Sequence, residues 1–136
     1  MSRHYLLRIS GVIFGLALAV NAAAGDVVVI VAPDAPSLTK QQVTNIYLGR
    51  DLDHKPVDLP EGSPAHEAFY SKATDRNPAQ LKAMWSRLVF TGHAQAPRVL
   101  ADAAAVKKAV AADPKSVGYI DKADVDSTVK VLLTLN

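Results

Sequence analysis

The run VVVIVA, Val27 to Ala32, constrains the fold of this chain more than any other stretch. Consecutive apolar residues, most of them β-branched, predict a strand that is covered on both of its faces. The polar segment PDAPS ends the run. We therefore expect this strand to lie inside a sheet that has helices on either side.

Helix signals alternate with further strand signals along the chain. Thr39 and Gln42 form a predicted capping box. Gly49 stands at the position just after the predicted end of this helix, where glycine is common. Ser63 and Asn77 are each followed by proline at the first helical position, and Asp102 is a further N-cap. The predicted order is β-α-β-α-α-β-α-β-β, an α/β domain with a mixed, mostly covered sheet.

The strands are predicted at 27–32, 55–59, 98–100, 117–120 and 129–133, with a polar turn at 121–128. Pro56, near the start of the second strand, predicts an edge position because proline cannot donate to a ladder. The third helix is expected to bury a stripe of Leu81, Met84, Trp85 and Leu88. The predicted core consists of Val29, Val31, Ile46, Tyr47, Phe69, Leu81, Trp85, Leu88, Val110, Tyr119 and Val131.

The N-terminus has the pattern of a secretory signal peptide. A basic segment, MSRHYLLR, precedes an apolar run from Ile9 to Val20 and the small residues Ala22 to Ala24. The run of 12 residues is shorter than the roughly 20 that cross a bilayer. We expect cleavage near Ala24–Gly25, so that residues 1–24 are the signal peptide and 25–136 form one periplasmic or secreted domain without a membrane span.

Charge and composition then exclude several classes of function. Arg3 and Arg8 lie in the signal, which leaves 13 basic residues against 13 acidic ones, so the mature domain is formally neutral. A nucleic-acid-binding domain would instead cluster basic residues on one face. The sequence contains no Cys, so disulfides and thiolate chemistry are excluded. A domain of about 110 residues can bury enough surface to fold without such crosslinks.

Motifs typical of enzymes are incomplete. DVDST, Asp124 to Thr128, matches the letters of a phosphoryl-transfer motif but lacks the apolar strand before its first Asp, which favours a turn. DLDH, Asp51 to His54, could hold a metal, but a solvated loop is the better interpretation. The chain has no GxSxG elbow, P-loop or paired zinc histidines. We therefore predict a protein that is not an enzyme and uses neither a cofactor nor a metal.

The stretch VDLPEGSPAHEAF, Val57 to Phe69, contains the strongest candidate for a binding site. Helix N-termini expose unpaired N–H groups and attract anions. Ser63 could therefore hold an oxyanion, or it could only cap its own helix. His66 would face such an anion, although a solvated position is the alternative. Arg50 is either a loop charge or a contact to ligand or partner.

Four segments occur in an order that resembles a known family: SLTKQQVTNIYLGR (37–50), GSPAHEAFY (62–70), WSRLVFTG (85–92) and SVGYI (116–120). Together they resemble the phosphate-type periplasmic solute-binding proteins of ABC transporters, and more closely a group of small secreted, phosphate-binding-like proteins. The resemblance implies a three-layer, single lobe of the type II periplasmic-binding-protein fold. Its mixed, mostly parallel sheet would have about five strands flanked by helices.

The resemblance also implies a site. In the full-length proteins one helix begins with Ser-Gly-Thr and an Arg stands four residues before that Ser. Here Ser63, Pro64 and Ala65 occupy the three helix positions, and Leu59 stands in place of the Arg. A helix N-terminus contributes about 0.3 to 2 kcal/mol to anion binding, whereas millimolar affinity requires about 4 kcal/mol. A second copy or another protein would therefore have to complete the pocket.

Two functions follow from these observations. In the first, the lobe binds phosphate or another small oxyanion for an ABC transport or sensing system, through Ser63, Ala65, His66 and Arg50, and is expected to do so as a homodimer. In the second, the lobe binds no ligand and docks on an envelope sensor or transporter in the membrane.

Overall fold

The computed structural model of the chain describes residues 25–136. The signal peptide predicted at 1–24 lies outside the described residues. The elements are β1 (Val27–Val31), α1 (Lys40–Tyr47), β2 (Lys55–Asp58), α2 (Pro64–Thr74), α3 (Pro78–Phe90), β3 (Arg98–Val99), α4 (Ala103–Ala112), β4 (Ser116–Asp121) and β5 (Lys130–Leu135). A short 3-10 helix, Lys122–Asp124, occupies part of the predicted turn between β4 and β5. The predicted order of strands and helices is confirmed.

The five strands form one mixed sheet in the order β3-β2-β4-β1-β5. β2 runs parallel to both β3 and β4, whereas β1 runs antiparallel to both β4 and β5. All five residues of β1 are buried, as the continuous apolar run predicted. The α/β class with a mixed, mostly parallel sheet is confirmed.

The edge position predicted for β2 is wrong. β2 lies between β3 and β4, but β3 pairs only with Val57 and Asp58, beyond the proline. On the other side, Lys55 and Pro56 pair with the start of β4. Pro56 therefore lies in the part of β2 that pairs with β4 alone, so its missing N–H costs no hydrogen bond to β3. The proline marks a stretch of backbone that is unpaired on one side, although the strand as a whole is not at the edge of the sheet.

Aromatic rings fill the centre of the core between the sheet and helices α1 and α2. The rings of Phe69 and Tyr119 stack in parallel with centroids 4.0 Å apart, and Tyr47 meets Phe69 edge-on at 4.6 Å. The buried Tyr47 hydroxyl donates to the carbonyl oxygens of Val57 at 2.7 Å and Val117 at 3.1 Å. These bonds tie α1 to the two adjacent strands β2 and β4.

The predicted helix starts are confirmed. Thr39 and Gln42 form a capping box at α1, and Asn77 and Gln80 form another at α3. The Asp102 side chain accepts from the Ala105 amide at the start of α4. Capping groups satisfy amides that have no partner within the helix, which fixes where each helix begins.

The predicted core is confirmed except at Trp85, Leu88 and Val131. Of the stripe predicted for α3 only Leu81 is fully buried, while Met84, Trp85 and Leu88 are half-buried. Val131 is 40% exposed because it lies on the edge strand β5. The stripe of α3 stays partly open because grooves lie between this helix and the rest of the domain, and Trp85 lines two of them.

Within residues 25–136, no helix is long and apolar enough to cross a membrane.

Candidate functional site

A buried carboxylate, Asp58, stands at the carboxyl end of β2. It is 6% exposed. Its Oδ1 accepts from the amide of Leu59 at 2.9 Å and from the hydroxyl of Tyr119, and its Oδ2 accepts from the hydroxyl of Tyr70 at 2.6 Å. Ligands of open α/β sheets bind outside the carboxyl ends of the strands, so the position of Asp58 makes it a candidate site residue.

The fold brings the two phenols to Asp58 from separate elements. Tyr70 lies on the inner face of α2, and Tyr119 lies in the buried strand β4, beside β2 in the sheet. Burial raises the pKa of both phenols, and the negative charge of Asp58 raises it further. Both tyrosines therefore remain protonated and donate to the carboxylate, which compensates for its burial.

His66 completes the cluster from the first turn of α2. Its Nδ1 lies 3.2 Å from Asp58 Oδ1 and 3.2 Å from the carbonyl oxygen of Leu59. Desolvation lowers the pKa of the imidazole, but the hydrogen bond and charge of Asp58 outweigh it and the net pKa is raised. When His66 is protonated it forms an ion pair with Asp58, in which Nδ1 of the imidazole faces the carboxylate.

The start of α2 offers few free donors. The Ser63 Oγ accepts from the His66 amide at 3.4 Å, and the Ser63 carbonyl accepts from the Glu67 amide at 3.2 Å. Pro64 has no N–H. Among the described residues the Ala65 amide has no acceptor, so it and the hydroxyl hydrogen of Ser63 remain available to a ligand.

A groove of about 620 Å³ opens beside this cluster, between α2, α3 and the segment that leads into β3. Asp58 and His66 line it, and Glu61, Glu67 and Trp85 are among its other lining residues. Of the residues predicted for the site, only His66 lines this groove. Ser63 and Ala65 do not line it, although they stand in the chain between Glu61 and His66, which do.

Arg50 is not part of this arrangement. It lies in the exposed loop after α1, where its amide donates to the carbonyl oxygen of Asn45 at 2.9 Å. The loop interpretation of DLDH fits the structure, since Asp51 Oδ2 lies 3.1 Å from Nδ1 of His54. Residues 25–136 contain no group of three side chains that could hold a metal ion.

Within residues 25–136 the His66 imidazole has no hydrogen-bonded partner that is an aliphatic hydroxyl nucleophile. A carboxylate paired with an imidazole can orient a general base, but a nucleophile must then contact that imidazole. The hydroxyl nearest to His66 Nδ1 is the phenol of Tyr119 at 3.3 Å, which donates to Asp58 instead. In the described part of the chain no serine or threonine hydroxyl hydrogen-bonds to the His66 ring.

Sequence reasoning did not identify Asp58, Tyr70 or Tyr119 as parts of a site. The available signal was an acidic residue at the end of a short strand that the pattern places in an α/β sheet. The phenols carry no such signal, because a tyrosine within an apolar stripe is ordinarily a core residue.

Solved structures share this fold. An ABC-type phosphate transport receptor from Vibrio cholerae matches with a TM-score of 0.58 and 20% identity, over 79% of this chain and 45% of that chain. A putative phosphate ABC transporter substrate-binding protein with bound phosphate from Clostridium perfringens matches with a TM-score of 0.60 and 18% identity, over 79% of this chain and 44% of that chain. PstS from Borrelia burgdorferi matches with a TM-score of 0.57 and 12% identity, over 79% and 46%.

The chain thus spans less than half the length of these proteins. At such identities the likeness establishes the fold, which matches a single lobe of a periplasmic binding protein. No protein-family model matches the sequence. A search of curated proteins likewise finds no significant match.

Proposed function

We propose that this chain is a secreted, periplasmic, substrate-binding-like protein that holds a small ligand for an ABC transport or sensing system. One observation carries the proposal: the hydrogen-bonded pair Asp58–His66 lines a groove at the carboxyl edge of the sheet, and the free donors of Ser63 and Ala65 precede His66 in the same helix start. The fold it shares with phosphate transport receptors supports this role. The role is binding and not catalysis.

Phosphate, or another small oxyanion, is the first ligand to test. The Ser63 hydroxyl, the Ala65 amide and the imidazole of His66 are donors within the first turn of α2. The carboxylates of Asp58, Glu61 and Glu67 lie beside them and repel an anion. Since the turn alone contributes about 0.3 to 2 kcal/mol, tight binding needs a second lobe, supplied by another copy of the chain or by a partner protein.

A thermal-shift titration of residues 25–136 with phosphate, in a buffer free of phosphate, tests the proposal. A ligand at 100 times its dissociation constant adds about 2.7 kcal/mol of stability. At about 4 °C per kcal/mol, the melting temperature should rise by about 10 °C. Sodium chloride at equal ionic strength is the control for salt effects.

Two capping variants separate binding from stability. Ser63→Ala should abolish the phosphate-dependent shift, whereas Asn77→Ala removes a cap from α3 and should leave the shift intact. A melting temperature that does not change with phosphate would reject phosphate as the ligand. An undiminished shift in Ser63→Ala would place the site elsewhere.

The alternative function is a ligand-free interaction module that docks on an envelope sensor or transporter. The buried Asp58 beside the turn, together with Leu59 at the position of the family's Arg, favours this alternative because both weaken an anion site. It predicts no oxyanion binding and a specific membrane protein crosslinked to the chain in the envelope fraction. Failure to crosslink any protein there would count against it.

A further inference from the structure

Three large apolar side chains are exposed where α3 ends. Phe90 is 92% exposed, Leu52 is 67% exposed and Val89 is 50% exposed. We call these three residues the α3-end patch. A single exposed apolar residue is ordinary, whereas exposed apolar residues that lie together, as the consecutive Val89 and Phe90 do, point to a surface that contacts something else.

The two segments that carry the patch are held together by close packing. Gly49, at the end of α1, approaches α3 so closely that a Cβ there would lie 2.8 Å from Leu88 Cδ1 and 3.2 Å from the Trp85 ring. Leu52 follows three residues later, and it lines the same groove of about 1270 Å³ as Val89. Leu52 and Val89 therefore share one surface, formed by α3 and the loop after α1, and Phe90 follows Val89 directly at the end of α3.

Four cationic side chains lie either on the segments that carry the patch or in the groove beside it. Arg50, Arg87, Arg98 and Lys108 are exposed, and within residues 25–136 none of them forms an ion pair. Arg87 lies one helical turn before Phe90, and thus on the same face of α3. Arg98 and Lys108 line the groove together with Leu52 and Val89.

One nearby acidic group is paired with a cation. Asp113 pairs with Lys55 at 3.1 Å, whereas Asp51 hydrogen-bonds to the imidazole of His54 at 3.1 Å. Asp53, which is exposed, is the remaining carboxylate in the loop that carries Leu52. The four cations outnumber the carboxylates of Asp51 and Asp53, so this surface carries an excess of positive charge.

We propose that the α3-end patch and these four cations bind the surface of an anionic lipid bilayer. Protruding apolar side chains enter the boundary between headgroups and acyl chains, while arginine and lysine contact the lipid phosphates. A bilayer fits better than a protein partner because Phe90 projects from the surface, and a bilayer accepts such a side chain without a matching pocket. The inference goes beyond ligand binding, since it places the domain at a membrane without a spanning helix.

Co-sedimentation with lipid vesicles tests the proposal. Residues 25–136 contain the whole described core and omit the apolar segment 9–20, which would bind lipid by itself. This chain should bind vesicles of equimolar phosphatidylglycerol and phosphatidylcholine, and should not bind vesicles of phosphatidylcholine alone. Binding should fall as ionic strength approaches about 1 M, where the Debye length is about 3 Å.

Matched variants locate the contact. Phe90→Ser should lower the partition coefficient of the protein between vesicles and water by about tenfold or more. The reason is that the variant no longer buries a phenylalanine side chain in the bilayer. Arg87→Glu should lower it by a similar factor. Val131→Ser on the opposite edge of the sheet and Lys40→Glu at the start of α1 are the controls and should bind like the wild type. Because Phe90 is exposed, its variant should melt within about 2 °C of the wild type.

Trp85, the one tryptophan in the sequence, provides a local readout. It lies on α3 next to the patch, so lipids brominated near the headgroup should quench its fluorescence upon binding. A failure to bind the anionic vesicles at low salt overturns the proposal, even where the chain captures a protein partner. Binding that persists undiminished in Phe90→Ser and Arg87→Glu, or that leaves Trp85 unquenched, overturns it as well.

Discussion

The hydroxyl of Tyr70 donates a 2.6 Å hydrogen bond to Oδ2 of Asp58, a carboxylate that is almost completely buried. The bond connects α2 to the end of β2 across the core. A buried charge requires such partners, because an unpaired carboxylate in the interior is strongly destabilising. The cluster around Asp58 is thus important for stability as well as for any ligand that reaches the groove.

Tyr70→Phe should lower the free energy of unfolding by about 1.5 to 3 kcal/mol, since it removes a hydrogen bond to a charged acceptor. Tyr47→Phe is the matched control, because its buried hydroxyl donates to neutral carbonyl groups and should cost about 0.5 to 1.5 kcal/mol. Urea denaturation of both variants measures the difference. Equal losses would show that Asp58 does not require the charge-assisted bond from Tyr70.

His66 should make the stability of the domain depend on pH. Its pKa in the folded protein is raised above the unfolded value of about 6.5, mainly through Asp58 once desolvation is overcome. The contribution of His66 is therefore fully present below about pH 6.5, and it is lost as the pH rises through the folded pKa.

The measurement is the free energy of unfolding of wild type and His66→Gln over that range. The free energy of unfolding of the wild type should exceed that of the variant most at acidic pH. This difference in stability should shrink as the pH rises. His93→Gln replaces an exposed imidazole that has no carboxylate partner within residues 25–136, and it controls for the loss of any imidazole. A difference that grows with pH would contradict the assigned ion pair.

Local sequence signals predicted the order of helices and strands correctly because each signal depends only on residues that are close to it in the chain. Thr39, Asn77 and Asp102 cap the helices that they were expected to cap, and the apolar run of β1 is buried throughout. These signals depend on contacts within a few residues. They do not depend on how the elements are arranged in space.

The predictions that failed depend on tertiary arrangement. Trp85 and Leu88 fit a buried helical stripe, yet whether a stripe is covered depends on what packs against it, and α3 borders open grooves. The cluster around Asp58 joins residues that are 12 and 61 positions apart, and one sequence carries no signal for such pairings. The helix start at Ser63 was predicted, but the inward orientation of His66 could not be, because it follows from the position of Asp58.

Gly118 in β4 should be intolerant of any side chain. A Cβ at this position would lie 2.7 Å from Val106 Cγ1 and 3.0 Å from Val110 Cγ2, both on α4. Gly118→Ala should therefore cost about 1 to 3 kcal/mol through overpacking. In the double variant with Val106→Ala, the space vacated by the valine should relieve part of this cost, so that the two losses are not additive. Strictly additive losses in urea denaturation would contradict the close approach of α4 to β4.

Helix α3 should open more readily than α4. Only Leu81 of its 13 residues is fully buried, whereas α4 buries Val106 and Val110 completely against the sheet. Elements with few buried apolar groups open locally at low free-energy cost. In native-state hydrogen exchange, amides in the middle of α3 should therefore be protected at least about tenfold less than those in the middle of α4.

Cap variants test whether the two helices open independently. Asn77→Ala removes the capping box of α3 and should reduce protection in α3 alone, while Asp102→Ala should reduce it in α4. Mass spectrometry of proteolytic fragments after exchange resolves the two segments. If α3 exchanged only through global unfolding, its protection would equal that of α4 and would fall together with it in both variants. Independent opening of α3 would mean that the surface next to the groove and the α3-end patch can rearrange while the core of the domain stays folded.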